Sequence, residues 1–167
     1  MPAVKRERVH ILATVRKPEL LSAATLVFAT IRTGFPTAAV TVQGNGLKPE
    51  SARVLADCCR QVDARFEDSW PTQHDRWLAR LIEVAHEPFW ICDTDVVFFE
   101  NIELTVFPVD VWMAGEYQPT FREEYTDTIH LERLHTALMW FDPVRLRDKI
   151  QQHAPHIGLV AGPDSYR

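Results

Sequence analysis

The sequence predicts an α/β fold, an α/β/α sandwich of three layers around a mainly parallel sheet. Short β-like apolar runs alternate with longer stretches of helical period. The run at 89–92 is apolar without interruption, as expected for a strand covered on both faces. No repeat, low-complexity tract or linker divides the 167 residues, so one domain spans 1–167.

Residues 9–15 (VHILATV) read as a buried strand. Pro18 opens a helical stretch through Ile31 that Gly34 closes, since proline is tolerated in a first turn. Residues 38–42 form a second strand, ended by the turn signal Gly44-Asn45-Gly46. Pro49 starts a helix whose Val54, Leu55, Cys58 and Val62 fall at core-facing spacing. A short third strand fits 64–66. Residues 73–85 are again helical, with Trp77, Leu78, Leu81, Ile82 and Ala85 on one apolar face. Strands follow at 111–114 and 138–141, and a closing helix at 144–153 behind Pro143. The polar stretch 116–127 is a mobile loop or an extended hairpin.

Composition narrows the function classes. Hydrophobic residues are 46% and charged residues 25%, the balance of a soluble globular chain. The net charge is −5 and the basic residues are spread, which argues against a nucleic-acid surface. Arg greatly outnumbers Lys, through genomic base composition or through a need for forked phosphate recognition. Cys58, Cys59 and Cys92 make neither a disulfide framework nor a zinc pattern, and suit buried thiols in a reducing cytoplasm. The charged start lacks the apolar core of a signal peptide, and no segment reaches the roughly 20 apolar residues of a membrane span.

Chemistry concentrates at Asp93-Thr94-Asp95, where the apolar strand gives out. Ligands collect at the carboxyl ends of parallel strands. Alternation along an extended backbone points Asp93 and Asp95 to one side and Thr94 to the other. Two carboxylates so close repel unless a cation neutralises them, and hard oxygen ligands suit Mg²⁺ or Mn²⁺. Such an ion completes its shell with water and substrate phosphates, the arrangement a nucleotide diphosphate requires. An isolated Asp-x-Asp is common in surface turns. This one is set between four apolar residues on each side (89–92 and 96–99), which a solvated turn does not need.

The run 89–102 (FWICDTDVVFFENI) resembles the Asp-x-Asp element of GT-A glycosyltransferases, an apolar strand followed by an apolar continuation and a short helix. The run 134–143 (LHTALMWFDP) is similar to the donor-pocket strand of glycogenin-like and lipopolysaccharide-galactosyltransferase-like members. It departs from that pattern with His135 for Asn and Ala137 for Gly, which leaves retaining and inverting chemistry both open. The resemblance implies a Rossmann-like sandwich and transfer of a sugar from a UDP- or GDP-sugar to a saccharide or other hydroxyl acceptor. It implies that Ala13, Thr14, Val15 and Arg16 cradle base and ribose. Arg76, with Arg80 behind it, is the basic donor residue of the helix before the motif. Asp93 and Asp95 hold Mn²⁺ or Mg²⁺, Thr94 lies against the donor, and a late histidine, His156 or else His153, is the third ligand. For an inverting reaction Glu116 is the base, ahead of Asp127 and Glu132; for a retaining one Glu116 or His135 positions the sugar. Such domains run longer, so the chain is a fragment, a minimal version or the ordered part of a longer protein.

Two rival readings stand beside this one. In a haloacid-dehalogenase-type phosphatase Asp93 is the nucleophile and Asp95 the general acid/base. That motif closes the first strand of its domain, whereas three strand–helix units precede it here, and Lys149 is followed by no acidic pair. A degenerate transferase fold that only binds sugar nucleotides is the non-enzymatic alternative. A nucleotidyltransferase lacks support, since no Gly-rich basic loop follows the first strand.

Overall fold

The computed structural model describes residues 7–15, 20–103, 105, 107–118, 121–122, 129–130 and 133–153, without the side chains of 116–118, 121–122, 129–130 and 133–136. In chain order the elements are β1 (Arg8–Ala13), a 3-10 turn (Ala23–Thr25), α1 (Leu26–Gly34), β2 (Ala39–Asn45), α2 (Pro49–Gln61), β3 (Arg65–Ser69), α3 (His74–Val84) and β4 (Phe89–Cys92). β5 (Met113–Gln118), β6 (Phe121–Arg122), β7 (Ile129–His130), β8 (Arg133–Phe141) and α4 (Pro143–His153) complete them. Six strands form one sheet in the order β3-β2-β1-β4-β8-β5. β3, β2, β1 and β4 are mutually parallel, and β8 runs against both β4 and β5. β6 and β7 pair as a separate small ribbon.

The period of two in the strands divides the apolar side chains between two cores. Val9, Ile11, Ala13, Val40, Val42, Trp90, Cys92 and Trp140 pack with α1 and α2 on one face. Leu12, Phe89, Ile91, Met139 and Phe141 pack with Trp77 and Ile82 of α3 and Leu146 of α4 on the other. Phe35, Phe89 and Phe141 are the largest fully buried side chains, each worth about 2–3 kcal/mol of apolar burial. The predicted three-layer sandwich is present.

Several sequence expectations need correction. The first helix starts at Leu26, behind the 3-10 turn; Pro18 lies outside the described residues. Val54 faces solvent and Cys59 takes the core position, because α2 buries the Ser51, Leu55, Cys59 row. β2 runs through to Asn45, so the expected turn residues Gly44 and Asn45 still pair with β3. β5 begins at Met113 and carries Glu116 inside the strand, not beyond its end. The stretch after the acidic motif forms neither strand nor helix up to residue 103. Its backbone lies along α1 instead. The Val27 N–H donates to Thr94 O (3.0 Å), the Phe98 N–H to Thr30 Oγ1 (2.9 Å), and the Ile102 N–H to Gly34 O (3.0 Å). Of its four apolar residues Phe98 is buried against α1, while Val97 and Phe99 are exposed.

Candidate functional site at the carboxyl end of the sheet

β1 has β2 on one side and β4 on the other, so the strand order reverses between β1 and β4. In open α/β sheets such a reversal is where ligands bind, at the carboxyl ends of the two strands. The register sets Ile11 beside Cys92, which brings residues 13–15 and 93–95 to the same rim. Asp93 prolongs the pairing by one step, its N–H donating to Ala137 O at 2.8 Å. The chain then turns at Thr94 and Asp95, so the extended alternation predicted for the two acids does not hold. Both carboxylates nevertheless lie close enough to Cys92 to raise its thiol pKa, behind the larger effect of burial.

Asp93 and Thr94 are half-buried and Asp95 is exposed. The amino end of α1 abuts this turn through the Val27–Thr94 bond. Positive helix-end charge there offsets part of the repulsion between the acids and favours a phosphate nearby. The donor set offers two carboxylates, the hard oxygen chemistry that Mg²⁺ or Mn²⁺ requires, so these residues fit such an ion. Among the described residues no group of three or more His, Cys, Asp and Glu side chains could hold a metal. His153 is exposed at the end of α4, and His156 lies outside the described residues, as do Arg16, Asp127 and Glu132.

At the end of β1, Ala13 is fully buried, Thr14 exposed and Val15 half-buried. Asn45 ties this end to the next loop. Its Nδ2 donates to Thr14 Oγ1 (2.9 Å) and Thr72 O (3.1 Å), and its Oδ1 accepts from the Thr72 N–H (2.7 Å). Sequence reading took Asn45 only for a turn residue; an amide side chain between two glycines was the available signal. Arg76 and Arg80 are exposed on α3, where both line a groove with Trp70 and Trp77. A cleft of ≈ 470 Å³ opens near the ends of β2 and β3, lined by Gly46, Leu47, Asp68, Ser69, Trp70 and Pro71. That cleft does not include the acidic pair.

Glu116 and His135, predicted separately, are register partners across β5 and β8, next to a bulge at Gly115/Glu116. His135 stands two residues before Ala137, the backbone partner of Asp93. Gly115 allows the close approach, since a Cβ there would meet Met139 Cγ at 2.9 Å. Bulges commonly re-aim a strand beside functional sites.

Comparison with solved structures adds the decisive likeness. The apo structure of the bifunctional glycosyltransferase WbbM matches 89% of this chain with a TM-score of 0.56 and 12% identity, over 34% of its own length. The mannosyltransferase PcManGT from Pyrobaculum calidifontis, in complex with GDP-Man and Mn2+, matches 90% with a TM-score of 0.54 and 12% identity, over 47% of its length. The chain has a GT-A glycosyltransferase fold. It spans about a third to a half of the length of those two structures. No protein-family model matches the sequence, and no curated protein does. Within the GT-A fold the Asp93-Thr94-Asp95 turn sits at the reversal point of the sheet, on its fourth strand. The phosphatase reading needed the first strand.

Proposed function

We propose that this chain is the donor-binding domain of a metal-dependent glycosyltransferase that moves a hexose from a UDP- or GDP-sugar to an acceptor hydroxyl. One observation carries the reading: an acidic pair at the carboxyl end of β4, where the strand order reverses between β1 and β4, in a GT-A fold. PcManGT, whose fold it shares, was solved with GDP-Man and Mn2+, which supports a nucleotide-sugar donor and a divalent ion.

In this reading Ala13, Thr14, Val15 and Arg16 contact base and ribose, with Asn45 holding Thr14 in place. Asp93 and Asp95 hold Mn²⁺ or Mg²⁺, joined by His156, and Thr94 and Arg76 lie against the donor. A bound divalent ion supplies Lewis-acid stabilisation of the departing diphosphate. The acceptor oxygen bonds to the anomeric carbon as the bond to the diphosphate oxygen breaks. The diphosphate leaves with the electron pair. In an inverting reaction Glu116 takes the hydroxyl proton; in a retaining one Glu116 and His135 position the sugar.

Thermal denaturation with UDP-glucose, UDP-galactose and GDP-mannose, each with and without Mn²⁺, tests the proposal through ligand-linked stabilisation. One donor should raise the midpoint only when Mn²⁺ is present. Asp95→Asn should abolish that shift while leaving the unliganded midpoint within about 2 °C, because Asp95 is exposed. A donor shift that survives both Asp95→Asn and Asp93→Asn would overturn the assignment.

A further inference from the structure

The register lines up Ala13 of β1, Gly44 of β2 and Asp68 of β3 in one row across the sheet. Val42 and Phe66, one row earlier, pack in the core under α1 and α2, and side chains two residues on return to the same face. Gly44 is the gap in the row. A Cβ there would meet Asp68 Oδ1 and Leu47 Cδ1, each at 2.8 Å, so its absence lets a carboxylate and an apolar side chain share this spot. Asp68 Oδ1 accepts from the Ser69 N–H at 3.0 Å, which orients the carboxylate. A carboxylate has about four acceptor positions, so one such bond leaves room for two further donors.

Asp68 lines the ≈ 470 Å³ cleft together with Leu47, Trp70 and Pro71. Trp70 is 90% exposed on a held backbone. Ser69 Oγ donates to Gly44 O at 2.6 Å, the Gly46 N–H donates to Ser69 O at 3.0 Å, and Pro71 seats against Gly46, whose φ is 60°. An indole, two apolar walls and one carboxylate suit a flat ring with a polar edge. Proteins hold nucleobases in this way, by stacking on an aromatic side chain and by hydrogen bonds along the Watson–Crick edge.

A carboxylate sets two acceptors side by side and therefore selects an edge with two adjacent donors. Guanine has that edge, in N1–H and the 2-amino group. Uracil places a single N3–H between two carbonyls; adenine and cytosine place an amino group beside a ring acceptor. Each of those puts a lone pair against a carboxylate oxygen, which repels it. Asp68 stands three strands from β4, about 14 Å at the usual strand spacing, a span suited to an extended nucleoside diphosphate. We infer that Asp68 selects guanine in the donor nucleotide, with the base on Trp70 in this cleft and the ribose passing Thr14, so that the donor is a GDP-sugar. The inference rests on the transferase reading for the diphosphate end.

Calorimetric titration of the full chain in Mn²⁺ with GDP, inosine diphosphate, UDP and ADP tests it. GDP should bind at least about tenfold more tightly than inosine diphosphate, which lacks only the 2-amino group, and than UDP or ADP. That comparison needs no variant. Asp68→Asn replaces an acceptor with a donor, so it should weaken GDP at least about tenfold. The same variant should bind xanthosine diphosphate better than GDP, because the C2 carbonyl of xanthine accepts from the new amide; a merely loosened fold would weaken every ligand alike. Trp70→Ala should weaken GDP and inosine diphosphate about tenfold each and leave their ratio unchanged. UDP bound as tightly as GDP, inosine diphosphate bound as tightly as GDP, or no reversal in Asp68→Asn would each overturn the guanine assignment and leave the transferase reading standing. Absence of Mn²⁺-dependent binding by all four diphosphates would overturn both.

Discussion

His10 sits in the middle of β1 with its ring edge-on to Phe89, the centroids 5.5 Å apart. Burial pushes its pKa down from 6.5 to about 4, and the positive charge of Arg8 adds to the effect. The folded state therefore holds a neutral imidazole that the unfolded chain protonates below pH 6.5. Stability from this group is complete above that value and is lost as the pH falls towards 4, at up to about 1.4 kcal/mol per pH unit. Denaturant titrations across that window should show His10→Gln declining less steeply than the parent, by about 2–3 kcal/mol in total. Parallel curves would mean that the imidazole titrates alike in both states. Cys59 is displaced in the opposite direction, up to about 12, by burial first and then by Cys58, so it is held as an inert thiol.

At the scale of elements, the segment after the acidic motif depends on α1. Gly34 ends that helix, and its carbonyl accepts from the N–H groups of Ile102 and Glu103 at 3.0 and 3.1 Å. A Cβ on Gly34 would meet the Phe98 ring at 2.5 Å, and Phe98 in turn packs edge-on against Phe35. Gly34→Ala should therefore cost about 1–3 kcal/mol, with the ring forced out of its place. It should also weaken donor binding, because the same segment leads back to Asp95. A variant of unchanged midpoint would show that the ring has room to yield. This dependence also marks where sequence reading stops. The strands at 89–92 and the helix at 74–84 were legible, since one is uniformly apolar and the other has a clear helical face. The run 96–99 is just as apolar, yet it forms no strand because its backbone bonds run to α1, a contact that no local pattern encodes. The site divides in the same way. Asp93 and Asp95 announce themselves by ending an apolar strand. The pairing of Glu116 with His135 depends on β5–β8 register and on a bulge, and the Asn45 clamp on residues 27 positions apart.

Across the whole molecule, α1 and α2 form one outer layer, and a single side chain fastens its far end. Arg32 donates from Nε to Val62 O (2.7 Å), from one terminal nitrogen to Phe35 O (3.1 Å) and Ala38 O (2.9 Å), and from the other to Asp63 O (2.7 Å). The carbonyls belong to the exit of α1, the entry to β2 and the end of α2, so one guanidinium fixes how the layer sits on the sheet. Asp63 is the non-glycine residue with positive φ (51°) among the described residues, a conformation that usually falls to Gly or Asn just past a helix end. Removing Arg32 as Arg32→Ala leaves those carbonyls to water or to nothing, at a cost of about 2–4 kcal/mol. Arg32→Lys should recover only a minor part, since a point charge cannot reproduce the planar fork. Asp63→Gly should gain up to about 1 kcal/mol by relieving the backbone. Urea unfolding of the three variants checks these values. Because the fork lies at the end of α1 remote from Thr94, all three should keep the Mn²⁺-dependent donor shift once the changed midpoint is allowed for. Loss of that shift in Arg32→Ala would mean that the placement of the outer layer, and not the acidic turn alone, sets the donor crevice.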